Sequence, residues 1–310
     1  MVDIMKILIT GAMGLLGHRI VKCCLEEGLE VCATDIAIPS LLGKEDGVTW
    51  LKMDITDPSS TMSTLDDTRP DAIINTAAMT NVDQCEVEKE AAWRINAEGA
   101  RNVAQASAKT GAHLIHLSTS YVFDGEKGLY NEEDEPNPLG YYGVTKLKGE
   151  EAIKSTTSNW CIARTDVIFG WGRQDRPNFA QWVVINLEKK QGVKVVTDQY
   201  NSPTLNTNLA EMVVDVAKHH VQGILNTAGS TRINRFEFAK KISKTFHLDQ
   251  KYIEPVSSAQ FTWKAKRPKD ASVNVAKAKK LLSRKPRSIE DALKIMKKER
   301  TLMRQGETEH

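Results

Sequence analysis

Lys6-Ile-Leu-Ile-Thr10-Gly11-Ala-Met13-Gly14-Leu15-Leu16-Gly17 decides the fold of this chain. An apolar run of strand length passes directly into three glycines, and an apolar-periodic helix follows through Leu25. Three glycines alone are a weak signal, but strand, glycine turn and helix in that order mark a dinucleotide site strongly. Gly11 permits the tight turn, Gly14 lets backbone approach a pyrophosphate, and Gly17 lets helix pack on strand, with the helix N-terminus facing the phosphate charge. The glycines are spaced three and three, wider at the start than in the commonest dehydrogenase fingerprint.

The pattern continues outward from this turn. A second strand, Glu30 to Thr34, ends in Asp35, eighteen residues past Gly17. A carboxylate there can hydrogen-bond both adenosine ribose hydroxyls and repels a 2′-phosphate, which favours NADH over NADPH; a solvated turn aspartate is the other reading. Trp50 to Met53 reads as a third strand closed by Asp54-Ile55, placed to flank an adenine. Asp71 to Asn75 is a fourth, ending in the small residues Thr76-Ala77-Ala78 before Met79-Thr80, and Thr80 to Asp83 would rim a pocket at the sheet's C-terminal edge. A helix from about Glu88 to Ala108 carries Asn96, which either fastens the active-site strand through backbone hydrogen bonds or lies exposed. Alternating strands and helices predict an α/β fold, a Rossmann-like doubly wound parallel sheet with right-handed crossovers.

The chemistry lies between His116 and Glu150. Ala112 to Leu117 reads as a buried strand that delivers Ser118 and Thr119 at its end, and a helix opens near Gly140 after the breakers Pro136 and Pro138. Tyr142 and Lys146, four residues apart, share one face of that helix. Hydride addition to a ketone builds negative charge on oxygen, and a tyrosine can answer it with a proton. Bringing a phenol from its usual value near 10 to neutrality takes roughly 4 kcal/mol of phenolate stabilisation. Lys146 supplies an ammonium and Thr119 a second hydroxyl. By itself a Tyr and Lys at this spacing arises readily by accident in a chain with six tyrosines.

The remaining properties bound the answer. A chain of 310 residues, 41% hydrophobic and 26% charged, suits one sizeable core and a second smaller lobe. A net charge of +2 gives no reason to expect nucleic acid, and no apolar run approaches the ~20 residues that span a bilayer. The segment Ile7 to Leu16 has the glycine spacing of a motif and no small-residue cleavage site after it, so the chain reads as cytoplasmic. Five cysteines, an odd number without metal-ligand spacing, fit reduced thiols in the core or on the surface, and no metal is expected.

The second half is less regular. Residues 1–165 are expected to form the dinucleotide-binding domain, with the main sheet rejoined by 223–228, and 166–310 mainly a smaller C-terminal α/β substrate lobe. Trp171 to Arg176 is a loop that could cover the pocket as a partial lid, followed by a helix, Asn178 to Lys190. Val193 to Val196 reads as a strand, and helices fall within Asn206 to Val221 and Asn234 to Phe246, the latter with Phe236, Phe238, Ala239 and Ile242 on one face. Ser288 opens a closing helix, Arg267 beside Pro268 is a candidate for a diphosphate, and Gln305 to His310 is expected to be disordered.

The glycine motif, Asn75 to Ala78, the Ser118-Thr119 strand end and Tyr142 with Lys146 together resemble the extended short-chain dehydrogenase/reductase family. More narrowly, Ser118-Thr-Ser-Tyr-Val-Phe-Asp-Gly125 and Pro138-Leu-Gly-Tyr-Tyr-Gly-Val-Thr-Lys146 are similar to its dTDP-4-dehydrorhamnose reductase branch. Asp198-Gln199 with Pro203-Thr204, and Arg267-Pro268 with Ser272, extend the resemblance to nearly the whole chain. It implies hydride transfer from nicotinamide C4 to the C4 ketone of a deoxyhexulose on a nucleotide diphosphate, with NADH or NADPH as cofactor; a homodimer is compatible with it. Tyr142 is carried over as the acid, Lys146 as the residue that tunes it and binds the nicotinamide ribose, and Thr119 as the second hydroxyl. Implied cofactor contacts are Gly11, Met13, Gly14, Leu15, Leu16, Gly17, Asp35, Asp54, Ile55, Ala77, Ala78, Thr80, Tyr142 and Lys146. Implied substrate contacts are Val82, Thr119, Ser120, Tyr142, Val167 and Arg267.

Two departures touch the sugar pocket. The branch usually has an aspartate where this chain has Ser120, and a tryptophan where Arg164-Thr-Asp-Val-Ile-Phe-Gly170 has Val167. Two rival readings therefore stand beside the reductase: a sugar-nucleotide 4-epimerase, and a non-catalytic cofactor-binding subunit like the regulatory subunit of methionine adenosyltransferase. A 4,6-dehydratase would want an acid pair just after Thr119, and Ser120-Tyr121 supplies none.

Overall fold

The computed structural model describes residues 4–38, 47–172 and 176–308. Six strands follow the expected order: β1 (Lys6–Thr10), β2 (Glu30–Asp35), β3 (Val48–Lys52), β4 (Ala72–Asn75), β5 (His113–Thr119) and β6 (Trp160–Thr165). A seventh, Gly223–Asn226, returns from the second half to pair with β6. In space the order is Gly223–Asn226, β6, β5, β4, β1, β2, β3, every pair parallel. The strand order reverses between β1 and β4, and the crevice at their C-terminal ends is where doubly wound sheets bind ligands.

Helices cover both faces of the sheet, which is why the central strands read as unbroken apolar runs. All seven residues of β5 are buried. On one face α1 (Gly17–Glu26) packs against the much later α8 (Asn206–Lys218). Ile7, Ile9, Ile20, Met212 and Val213 share that core, and α10 (Ala276–Leu281) adds Ala278. On the other face lie α2 (Pro58–Thr68), α5 (Gly99–Thr110) and α6 (Tyr141–Thr156), with Leu8, Leu65, Ile73 and Val103 between them and the sheet. Gly17 explains how α1 comes so close: a Cβ there would stand 2.1 Å from the carbonyl oxygen of Gly11.

A second core belongs to the smaller lobe. Helices α7 (Phe179–Glu188), α9 (Arg235–Phe246) and α11 (Ile289–Thr308), with the parallel strands Val193–Val196 and Ile253–Val256, enclose Val184, Phe238, Leu293 and Met296. Two-residue pairings that the sequence did not announce join the segments after β6: Ile168–Phe169 with Thr204–Leu205, and Tyr200–Asn201 with Ile233–Asn234. Two residues are too few for either periodicity to register.

Three expectations change. The helix expected over 88–108 is broken into Lys89–Trp93 (α4, after α3, Val82–Val87), a π turn Arg94–Glu98, and α5. The end expected to be disordered continues α11 to Thr308, while the last two residues lie outside those described. Trp171, expected in a lid, is anchored: its indole donates to the Met296 carbonyl at 2.6 Å, and Gly172 lies against Leu15 of the glycine loop. Residues 173–175 of that loop lie outside the described residues. All five cysteines are buried and unpaired. Among the described residues no helix is long and apolar enough to cross a membrane.

Candidate active site

The glycine turn is built against the end of β4. Gly11 has φ +65°, and a Cβ on it would lie 2.9 Å from the Ala77 nitrogen, so only glycine fits the conformation and the space. Asp35 stands at the end of β2 and accepts the Met13 N–H at 3.0 Å, so one carboxylate oxygen braces the loop directly. Asp54 turns back on Thr56, accepting its N–H and hydroxyl at 2.8 Å each, and Ile55 is buried beneath Gly99. Ala77 and Ala78 remain half-buried at the crevice and Thr80 is exposed beyond them. A loop braced by a carboxylate, bare of side chains where it meets β4 and followed by a helix N-terminus, fits a dinucleotide pyrophosphate.

Asn96 takes the first of its two anticipated roles. It is 1% exposed, accepts the Met79 N–H at 2.8 Å and donates to the Met79 carbonyl at 3.0 Å and to the Thr145 hydroxyl at 3.1 Å. The π turn carries this side chain inward, so one asparagine ties the segment leaving β4 to α6.

Helix α6 brings Tyr142 and Lys146 to the end of β5. Its first N–H, from Tyr141, is accepted by the Glu86 carboxylate at 2.5 Å, an anion at a helix N-terminus. Its second anchor is Glu150, fully buried. Glu150 accepts the Ser118 hydroxyl at 2.5 Å and the Nε–H and one Nη–H of Arg164 at 3.0 and 2.7 Å. Thr119 is 7% exposed; its hydroxyl accepts the Tyr121 N–H at 3.2 Å and stands beside the Tyr142 side chain.

The electrostatics differ from the sequence-based expectation in one respect. Burial pushes the Tyr142 phenol up, with the neighbouring Thr119 hydroxyl pulling the other way, so the ring is held as the neutral acid and not as a phenolate. Burial also lowers Lys146 to about 8, against the pull of Glu150. Its Nζ lies 3.1 Å from His116 Nε2.

Of the substrate-side residues, Val82 opens α3, and Val167 adopts φ +32° at the bend after β6. Arg267 is already committed: it makes two hydrogen bonds to Asp83, at 3.2 and 2.7 Å, and stacks on Trp263 at 4.4 Å. Its guanidinium in turn holds the Asp83 carboxyl below the usual range. Ser120 is fully buried, its hydroxyl without a partner at full hydrogen-bond geometry and beside the Asp166 carboxylate.

Asp166 is a residue the sequence reading passed over. Pairing of Thr119 with Thr165 sets the next residues of β5 and β6 side by side, so the carboxylate absent at position 120 is offered from the neighbouring strand. Asp166 is 2% exposed and accepts the Ser202 N–H at 2.6 Å and the Asn201 amide at 3.2 Å. Burial raises it to about 6, against the pull of Ser202 and of Arg235 at the start of α9. Arg235 also lies near Tyr121 and stacks on Phe179 at 5.0 Å. The Asp-Val pair inside the strand-end motif was the available signal for Asp166; Arg235, distant in sequence, had none.

Comparison with known proteins matches this chain over most of its length. The family model described as the RmlD substrate binding domain matches residues 5–301. The spore coat polysaccharide biosynthesis protein SpsK of Bacillus subtilis is 36% identical, over 85% of this chain and 87% of its own. The dTDP-4-dehydrorhamnose reductase of Mycobacterium tuberculosis is 34% identical, over 83% of this chain and 80% of its own. Among solved structures, the dTDP-4-dehydrorhamnose reductase of Bacillus anthracis in complex with NADP superposes with a TM-score of 0.86 at 31% identity, covering 96% of this chain and 99% of that one.

Proposed function

The chain belongs to the RmlD substrate-binding family, and on that premise we propose that it is an NAD(P)H-dependent reductase of a nucleotide-linked 4-keto-deoxysugar, acting as a dTDP-4-dehydrorhamnose reductase. The observation that carries the reading is the buried, neutral Tyr142 hydroxyl beside Thr119 at the end of β5, with Lys146 one helical turn behind it on α6. A reduced nicotinamide held along the crevice would supply the hydride. Tyr142 gives its proton to the oxygen that the hydride leaves negative, and Thr119 donates a second hydrogen bond to that oxygen. Lys146, as an ammonium below about pH 8, lowers the cost of the phenolate that remains.

The same residues divide the ligand between them. Gly11, Met13, Gly14, Leu15, Leu16, Gly17, Ala77, Ala78 and Thr80 would line the dinucleotide, with Asp54 and Ile55 at the adenine. Asp35 favours NADH, since a 2′-phosphate would meet its carboxylate. Asp166 and Ser120 would take sugar hydroxyls, and Val167 leaves room where a tryptophan would fill the pocket. Arg235 serves the diphosphate better than Arg267, whose charge is spent on Asp83.

The test is oxidation of NADH and of NADPH in the presence of dTDP-4-dehydro-L-rhamnose. Rapid oxidation that requires the sugar is expected, faster with NADH. No oxidation, with cofactor binding verified separately, would remove this sugar and turn attention to Ser120 and Val167.

A further inference from the structure

Asn206 opens α8 fully buried, with its side chain against the glycine loop. Its Nδ2 donates to the Leu15 carbonyl and to the Trp171 carbonyl, each at 3.3 Å, and its Oδ1 accepts the Thr207 N–H at 2.9 Å. These neighbours fix which way the amide faces: turned over, its oxygen would meet two carbonyl oxygens and its NH2 group another N–H. Gly170 makes the room, for a Cβ there would stand 2.0 Å from Asn206 Oδ1.

The carbonyls of Gly14 and Leu16, on either side of Leu15, accept the N–H groups of His18 and Ile20 in α1, at 3.1 and 3.0 Å. The Leu15 carbonyl between them is given to α8 instead. A trans peptide unit is planar, with its C=O and N–H pointing in opposite directions. Holding the Leu15 oxygen therefore aims the Leu16 N–H away from Asn206. Leu16 stands just before the first turn of α1, where no helix carbonyl can reach its N–H, and an anion suits such a group.

The Trp171 end of the amide is itself held. The Trp171 indole donates to the Met296 carbonyl at 2.6 Å, and the Arg300 guanidinium lies over its ring at 5.2 Å. Thr207, next to Asn206, gives its hydroxyl to Glu299 at 2.6 Å, and the same carboxylate oxygen pairs with Arg19 of α1 at 3.0 Å. Helix α11 of the smaller lobe thus braces both the asparagine and the helix that follows the glycine loop.

We propose that Asn206 is a positioning residue for the cofactor loop: it fixes the Leu15–Leu16 peptide so that the Leu16 N–H meets the dinucleotide pyrophosphate, and α11 holds it in that place. The loss of Asn206 weakens the grip on the pyrophosphate and leaves the adenosine end of the site as it was. This rests on the reading of the glycine loop as a dinucleotide site.

Two measurements test it, and neither needs the sugar. By calorimetry, Asn206→Ala should weaken binding of ADP-ribose, which carries the pyrophosphate, by about tenfold and leave binding of adenosine nearly unchanged. Weakening of both alike, or of neither, would make Asn206 a packing residue and overturn the proposal. The second measurement uses Asn206→Asp, which keeps the shape and the bond from Thr207 and so stands in should Asn206→Ala fail to fold. In protein labelled with nitrogen-15 leucine, with Leu16 assigned through Leu16→Met, the wild-type Leu16 amide proton should move downfield on saturation with ADP-ribose, and that of Asn206→Asp should move less. An unmoved Leu16 amide in the wild type, or an equal shift in the variant, would overturn the proposal. Failure of the wild type to bind ADP-ribose at all would strike the dinucleotide reading first, and this inference with it.

Discussion

The two sides of the crevice are built differently. On the cofactor side, glycine loop, β4 and α6 are close-packed, and their polar groups are satisfied by backbone or by each other, as with Asp35 on Met13 and Asn96 on Met79. On the sugar side, a buried carboxylate, an unpartnered serine hydroxyl and an arginine stand together on elements joined by two-residue pairings. The first arrangement suits a ligand that does not vary, the second a ligand to be selected. The proposed chemistry sits where they meet, at Tyr142.

The strongest way to break this contrast is at the meeting point. Tyr142→Phe should lower kcat by about three orders of magnitude and leave cofactor affinity near wild type; parallel loss of both in a titration of cofactor binding would mean that Tyr142 serves structure. Glu150→Ala comes next, in stability. Removing one member of a buried ion pair should cost about 3–5 kcal/mol in urea unfolding, because Arg164 is left charged and dry. A small loss would mean that α6 is held by packing alone.

The sugar side can be sharpened by pH. Asp166 is a carboxylate above about pH 6, and the Lys146 ammonium is lost above about pH 8, so kcat/KM should be bell-shaped between these values. Asp166→Asn should flatten the acid limb and raise KM for the sugar nucleotide by about tenfold. Persistence of that limb would assign it elsewhere. Arg235→Ala should likewise raise this KM by about tenfold, more than Arg267→Ala does, since Arg267 already has Asp83. The smallest effect is on cofactor choice. Asp35→Ala should shift the ratio of kcat/KM values for NADH over NADPH several-fold toward NADPH.

The same contrast governs what could be read from the chain itself. The strand from Lys6 to Thr10 was legible to the residue, and β5 and α6 nearly so, because periodicity, glycines and breakers are local signals. Thr119, Tyr142 and Lys146 were legible because two short segments hold them. Asn206 was not visible as a neighbour of Leu15, 191 residues away: only the packing of α8 on α1 sets them side by side. Asp166 escaped for the same reason, since its bearing on Ser120 depends on β5 pairing with β6. Arg267 is a case of the same kind. Its neighbourhood in sequence suggested a diphosphate contact and gave no sign of the carboxylate 184 residues away that it meets.

The central claim is that hydride goes to the sugar ketone and a proton from Tyr142 to its oxygen. The direct measurement is mass spectrometry of the sugar nucleotide after turnover with NADH deuterated at nicotinamide C4 on the transferable face. One deuterium at sugar C4 is expected in the wild type, and almost none over the same time with Tyr142→Phe. An inverted sugar with no net oxidation of cofactor would contradict the reductase in favour of a 4-epimerase, and absence of any label transfer from bound cofactor would favour a non-catalytic subunit.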